Sequence, residues 1–221
     1  SHKSSYELLY LLNARKNQDQ RIEELSANYT SLNYGGIVYS KTAIVFDYLM
    51  AYLGEDLYDK CMHRYFEEWK FKHPQADDLR KIFEEETGKD LDWFFDGLIK
   101  TTSKIDYKIA RSKKDTTNPE NILLKIRNKG KIHGPFSISG VKDGQIVTTQ
   151  WYEPIGKEKF VTFKKGGFDN YRIDAHLDIP EIKRKNNTLK TKGLLKTTEP
   201  LRLQFLGSLE NPDKTQLFFH I

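Results

Sequence analysis

Cysteine is nearly absent: Cys61 is the single one among 221 residues, which excludes an internal disulfide and any zinc site built on several thiolates. Cys61 falls inside an apolar helical pattern, so it reads as a buried structural thiol. Histidine is sparse and scattered. The six, at positions 2, 63, 73, 133, 176 and 220, include no pair one helical turn apart and no His-Glu-x-x-His, so none of them grips a metal from one helix face; each reads as a surface or packing residue. A Gly-x-Ser-x-Gly elbow and a phosphate loop are missing as well. No window approaches the roughly 20 uninterrupted apolar residues of a membrane span.

What is present is enough apolar matter to fold, 38% hydrophobic and 13% aromatic residues, in a length that favours two domains. Lys and Arg number 36 against 31 Asp and Glu, a net charge of +5 spread along the chain. The densest basic run, Lys183-Arg184-Lys185, lies in a turn-like polar stretch without aromatic platforms, so it reads as a solvated face and not a nucleic-acid surface. The chain begins at Ser1 and not Met, so Ser1 to Lys3 reads as an internal start. The compartment, cytoplasm or an exported location in the periplasm or at the cell surface, stays open.

Periodicity divides the chain. Residues 4 to about 100 carry helical spacing. The first helix, Ser4 to about Lys16, sets Leu8, Leu9, Leu11 and Leu12 on a broad stripe with Ser4 or Ser5 as N-cap. Val38 to Leu53 is apolar almost all round, a helix buried on most sides and stopped by Gly54. Helices over Glu55 to Lys70, Ala76 to Thr87 with Gly88 as cap, and Leu91 to Ile99 follow. The expected form is a bundle or solenoid segment.

Beyond Thr101 short alternating runs take over: Ile105 to Ala110, Ile122 to Ile126, Phe136 to Val141, Gln145 to Trp151, Phe160 to Phe163 and Tyr171 to Ile173. Turn signals separate them, Asp143-Gly144 being the clearest hairpin and Asn186-Asn187 the last. The expected fold class is therefore α+β and multidomain: an all-α segment over residues 1–104, a small antiparallel β-sandwich over 105–190, and a tail over 191–221 that completes the sandwich or starts a further module.

One segment stands out for chemistry. Asn33-Tyr34-Gly35-Gly36-Ile37-Val38-Tyr39-Ser40-Lys41 opens the most apolar helix, with two glycines allowing a tight turn and Tyr39 in the helix's first turn beside whatever cleft the loop lines. A phenol there can donate a hydrogen bond to a developing oxyanion. Spacing alone does not single it out, since the chain has 12 tyrosines and most such residues pack or line a rim. The acidic runs Glu84-Glu85-Glu86 and Glu67-Glu68 have basic neighbours one turn away and read as solvated helix faces.

The order Tyr39-Ser40-Lys41, an apolar helix, Leu53-Gly54-Glu55-Asp56, Tyr65-Phe66, Trp69 to Pro74, Asp78, and Thr87 to Phe95 resembles the M1 family of zinc aminopeptidases, in the stretch downstream of their zinc-binding motif. The resemblance covers residues 34 to 99. Thr42 stands where the family's Tyr-x-Lys-Gly motif has glycine. The β half is similar, through Ile126 to Gly130, Pro135, Asp143-Gly144, Trp151, Ile173-Asp174 and Asn186-Asn187, to the family's sandwich domain.

The resemblance implies that Tyr39 helps stabilise the tetrahedral intermediate formed when zinc-bound water attacks a peptide carbonyl. It implies zinc in a full-length, bacterial parent and none bound by this piece, peptide substrates, and a missing N-terminal peptidase portion as partner. It also implies that the piece is inactive alone. A non-catalytic M1-like scaffold and a protein- or sugar-binding module are the alternatives.

Overall fold

A computed structural model describes residues 2–192, together with Leu209–Glu210 and Gln216–Leu217. Helices come first and antiparallel strands second, an α+β arrangement. Helix α1 spans His2–Ala14, so Ser4 and Ser5 sit inside it and do not cap it. Most of its leucine stripe faces outward: Leu8, Leu9 and Leu12 are 47%, 45% and 52% exposed, while Tyr10, Leu11, Asn13 and Ala14 are buried, the apolar ones against Ile44 and Ile182.

After a 3-10 turn at Ser26–Asn28, the expected helix starts earlier and differently than its apolar run suggests. Thr30 caps a short α2, Ser31–Asn33, its hydroxyl accepting from the Asn33 amide at 3.2 Å. The chain then widens into a π-helix, Tyr34–Lys41, and tightens to α3, Thr42–Leu53. Gly35 and Gly36 thus lie within a helix and make no tight turn; Gly36 is buried where α1 crosses. Gly54, at φ +86°, ends α3, a conformation that favours glycine.

Helix α4, Glu55–Trp69, carries the buried Cys61, whose thiol burial pushes up. Helix α5, Ala76–Thr87, begins with Asp78 accepting from the Gln75 amide at 2.8 Å and ends at Gly88 in the left-handed region. A second π-helix, Trp93–Ile99, buries Trp93, Phe94, Phe95, Leu98 and Ile99. The acidic runs are solvated but paired: Arg64 bridges Glu68, Glu85 and Glu86 at 2.6 to 2.9 Å.

The strands are β1 (Tyr107–Lys114), β2 (Asn121–Asn128), β3 (Phe136–Lys142), β4 (Gln145–Tyr152), β5 (Glu158–Lys164), β6 (Asn170–Ile173) and β7 (Thr188–Lys190). One sheet runs β1-β2-β5, the other β4-β3-β6-β7, all neighbours antiparallel. Asp143 and Gly144, at φ 52° and 76°, turn the β3–β4 hairpin with the positive φ pair its twist demands. Strand β7 follows directly on the Asn186-Asn187 turn; its three residues are too few to show alternation.

Helices and sheets bury one continuous apolar cluster, running from Val45, Tyr48 and Phe94 to Ile105, Ile126, Phe136 and Tyr171. At the seam the Tyr107 hydroxyl donates to the Gly134 carbonyl at 2.6 Å, and the Trp93 and Trp151 rings pack on Tyr48. From residue 193 onward the tail lies outside the described residues, apart from the antiparallel pair Leu209–Glu210 with Gln216–Leu217.

The basic run is more than a solvated face. Arg184 ion-pairs with Glu7 of α1, donates to the Ile179 carbonyl at 2.8 Å and lies 3.6 Å from the buried Asp174 carboxylate.

Candidate functional site

Tyr39 is the sixth residue of the π-helix and stands 61% exposed. Among the described residues its hydroxyl takes no hydrogen bond, and its ring meets that of Tyr34 edge-on at 6.2 Å; Tyr34 in turn meets Tyr29 at 6.1 Å. A π-helix inserts a residue relative to α-helical spacing, at the cost of poorer backbone bonding, and such insertions occur often at functional sites because they re-aim a side chain. Here the widened turn carries the phenol, unpaired and open to a ligand. Thr42 seals its end, its hydroxyl donating to the Ile37 carbonyl at 3.1 Å. A glycine at position 42 could not make that bond.

Two buried polar side chains hold the turn from beneath. Asn33 is 3% exposed. Its carbonyl oxygen accepts from Asn13 of α1 at 2.8 Å, and its amide nitrogen donates to the Gln18 carbonyl at 2.9 Å and to Gln20 Oε1 at 3.0 Å. Lys41 is 1% exposed, and its ammonium donates to the carbonyls of Gln20 at 3.3 Å and Thr101 at 3.1 Å. Burial lowers the Lys41 ammonium to about 8; the Asp19 carboxylate acts to raise it and Lys104 to lower it. Asp19 is itself ion-paired with Lys104 at 2.5 Å.

Both anchors lie in the segment that the sequence singles out, but the sequence assigns neither a role. For Lys41 a signal was there: a lysine inside an almost wholly apolar helix is buried only when its charge is met. For Asn33 the Thr30 cap three residues earlier marks the helix start, but nothing local marks the partners contributed by α1.

The apolar surface around Tyr39 is open. Tyr34, which meets the Tyr39 ring, is 44% exposed; Leu32 and Leu25, earlier in the chain, are 66% and 72% exposed, and α1, with its outward leucines, packs on the π-helix.

Zinc does not fit the described residues. The histidines whose side chains are described, His63, His73, His133 and His176, are all exposed and none neighbours another in sequence. Glu84, Asp90 and Asp92 bring carboxylates together, yet the Arg80 guanidinium already fills that position, bonding Glu84 at 2.9 Å, Asp96 at 2.8 Å, and Asp92. That set supplies hard oxygen donors and a resident cation, not the imidazoles zinc favours.

Among the described residues no helix is long and apolar enough to cross a membrane.

Residues 11–98 match the family model described as the peptidase family M1 domain. Aminopeptidase N of Streptomyces lividans is 38% identical over 60 residues, 27% of this chain and 7% of that protein. Among solved structures, Legionella pneumophila aminopeptidase A in complex with aspartic acid superposes with a TM-score of 0.52 at 16% identity, over 69% of this chain and 18% of that one. At that identity it speaks for the fold alone. The 69% it covers is more than the helical half makes up, so the likeness reaches into the sheets. The chain spans less than a fifth of the length of either protein. The matched stretch, 11–98, where this chain is similar to peptidase family M1, contains the π-helical turn, Tyr39 and both of its buried anchors.

Proposed function

We propose that this chain is part of a zinc-dependent M1 aminopeptidase that removes N-terminal residues from peptides, and that it supplies Tyr39 and one wall of the substrate cleft. The carrying observation is Tyr39 itself: an exposed phenol without a hydrogen-bond partner among the described residues, on a re-aimed helical turn within the family match. A phenol O–H is a neutral donor, suited to an oxygen that gains charge as a peptide carbonyl is attacked and loses it afterwards. Supplied from a helical turn tied down by buried hydrogen bonds, it costs little reorganisation when the charge develops.

Zinc, which the family uses to supply a nucleophilic water, is proposed to be held by residues other than those described, in the amino-terminal portion of the peptidase domain. The outward leucines of α1 with Leu25, Leu32 and Tyr34 give that portion an apolar face to cover.

Assays with an aminoacyl chromogenic substrate test the reading. This chain alone is expected to be inactive with zinc added, and the full-length enzyme active and stopped by chelation. Chelator-resistant turnover by the full-length enzyme would overturn it.

A further inference from the structure

We propose that Lys41 is a positioning residue for Tyr39, aiming the phenol through the π-helical turn; the claim rests on the reading of Tyr39 as the oxyanion donor. Tyr39 and Lys41 are two positions apart on one turn and point to opposite sides, one 61% and the other 1% exposed. Outside, the only ring that the Tyr39 ring meets among the described residues is that of Tyr34, itself 44% exposed, so aromatic packing does little to fix its direction. The backbone must do so.

Beneath the turn, the Lys41 ammonium ties that backbone to two separate stretches, through Gln20 of the 17–25 loop and Thr101 just past the second π-helix. Those stretches are themselves joined, the Ile22 and Glu23 amides both donating to the Ile99 carbonyl, at 2.9 and 3.2 Å, and Thr101 Oγ1 donating to the Gly97 carbonyl at 2.6 Å. Lys41 thus fastens the first π-helix to a bonded layer built on the second.

A buried ammonium is an expensive way to fill space. A methionine of similar length would pack there without desolvating a charge. What lysine adds is a pair of directed bonds to fixed carbonyls, which hold a π-helical segment in a register that poorer backbone bonding leaves underdetermined.

Lys41→Met removes both bonds at nearly constant volume. In this chain, with the tyrosine rings isotopically labelled and assigned, the variant is expected to shift or broaden the Tyr39 ring signals while those of the buried Tyr107 stay in place; unmoved Tyr39 signals overturn the proposal. In the full-length enzyme Lys41→Met is expected to lower kcat by about tenfold or more with KM within about twofold, the pattern of an interaction made only in the transition state.

A double-mutant cycle then separates aiming from general damage. If Lys41 acts through Tyr39, the Tyr39→Phe, Lys41→Met double variant turns over no more slowly than Tyr39→Phe alone; additive losses overturn the proposal. Should Lys41→Met fail to fold, Lys41→Gln, able to keep one of the two bonds, is expected to give the same changes at smaller size. A Tyr39→Phe enzyme with unchanged turnover would defeat the functional reading of Tyr39, while the ring signals would still decide whether Lys41 aims it.

Discussion

Tyr48 of α3 donates its hydroxyl hydrogen to the Pro135 carbonyl at 2.5 Å, so the helix that continues the Tyr39 turn is bonded directly to the sheets. Both groups are buried, and removing the hydroxyl leaves the carbonyl without that partner. Tyr48→Phe is expected to lower unfolding free energy by about 1–3 kcal/mol, read from urea denaturation, with an unchanged m-value.

Next to it, Gly134 leaves no room for a side chain. A Cβ there would lie 2.5 Å from the Tyr48 hydroxyl oxygen and 3.2 Å from Trp93. Gly134→Ala is therefore expected to destabilise by about 1–3 kcal/mol and, combined with Tyr48→Phe, to lose less than the sum, because the second change removes the atom that clashes. Thermal melts of the single and double variants check this.

Stability should fall as pH rises from about 4 to about 8. Asp174, buried beside Arg184 and Asp178, is pushed up to about 7, and Glu181, which faces Asn187, the Tyr107 amide, Asp174 and Asp106, up to about 8, in both cases by burial. A carboxyl whose folded value is raised takes up protons on folding, so its contribution is complete below its unfolded value and is lost as pH passes through the folded one. Glu181→Gln is expected to flatten the curve in that window. Lys41 acts above it: with its folded value lowered to about 8 it sheds a proton on folding, so stability regains ground from pH 8 towards 10.5. Urea midpoints across pH 4–10, with and without Lys41→Met, separate the two limbs.

The α1 leucines offer a contrast. Leu8 and Leu12, 47% and 52% exposed, make few internal contacts, so Leu8→Ser with Leu12→Ser should change the stability of this chain by no more than about 0.5 kcal/mol per site. If the face is covered by the amino-terminal portion of the peptidase domain, the same pair should cost the full-length enzyme well over 1 kcal/mol. Equal melts of the two full-length proteins would argue that the face stays open.

The halves of this fold were legible wherever a local rule decides the structure. Helix α5 with its Gly88 cap and the Asp143-Gly144 hairpin follow from residues within four positions of one another. What escaped depends on distant partners. The apolar stripe of α1 gives the same pattern whether its leucines meet this chain or another surface, and periodicity does not say which. The π-helix at Tyr34–Lys41 is held by Asn13, Gln20 and Thr101, none adjacent in sequence, so its start before Val38 and its widened form have no local signature beyond the Thr30 cap. Tyr39 was picked out by the motif around it; its exposure and unpaired hydroxyl are properties of the folded turn.

The most direct test of the account is Tyr39→Phe in the full-length enzyme, assayed by steady-state kinetics on an aminoacyl substrate with zinc content measured alongside. Loss of one preorganised oxyanion donor predicts a fall in kcat of roughly 100- to 1,000-fold with KM little changed and zinc retained. Turnover within a few-fold of the unaltered enzyme would contradict it.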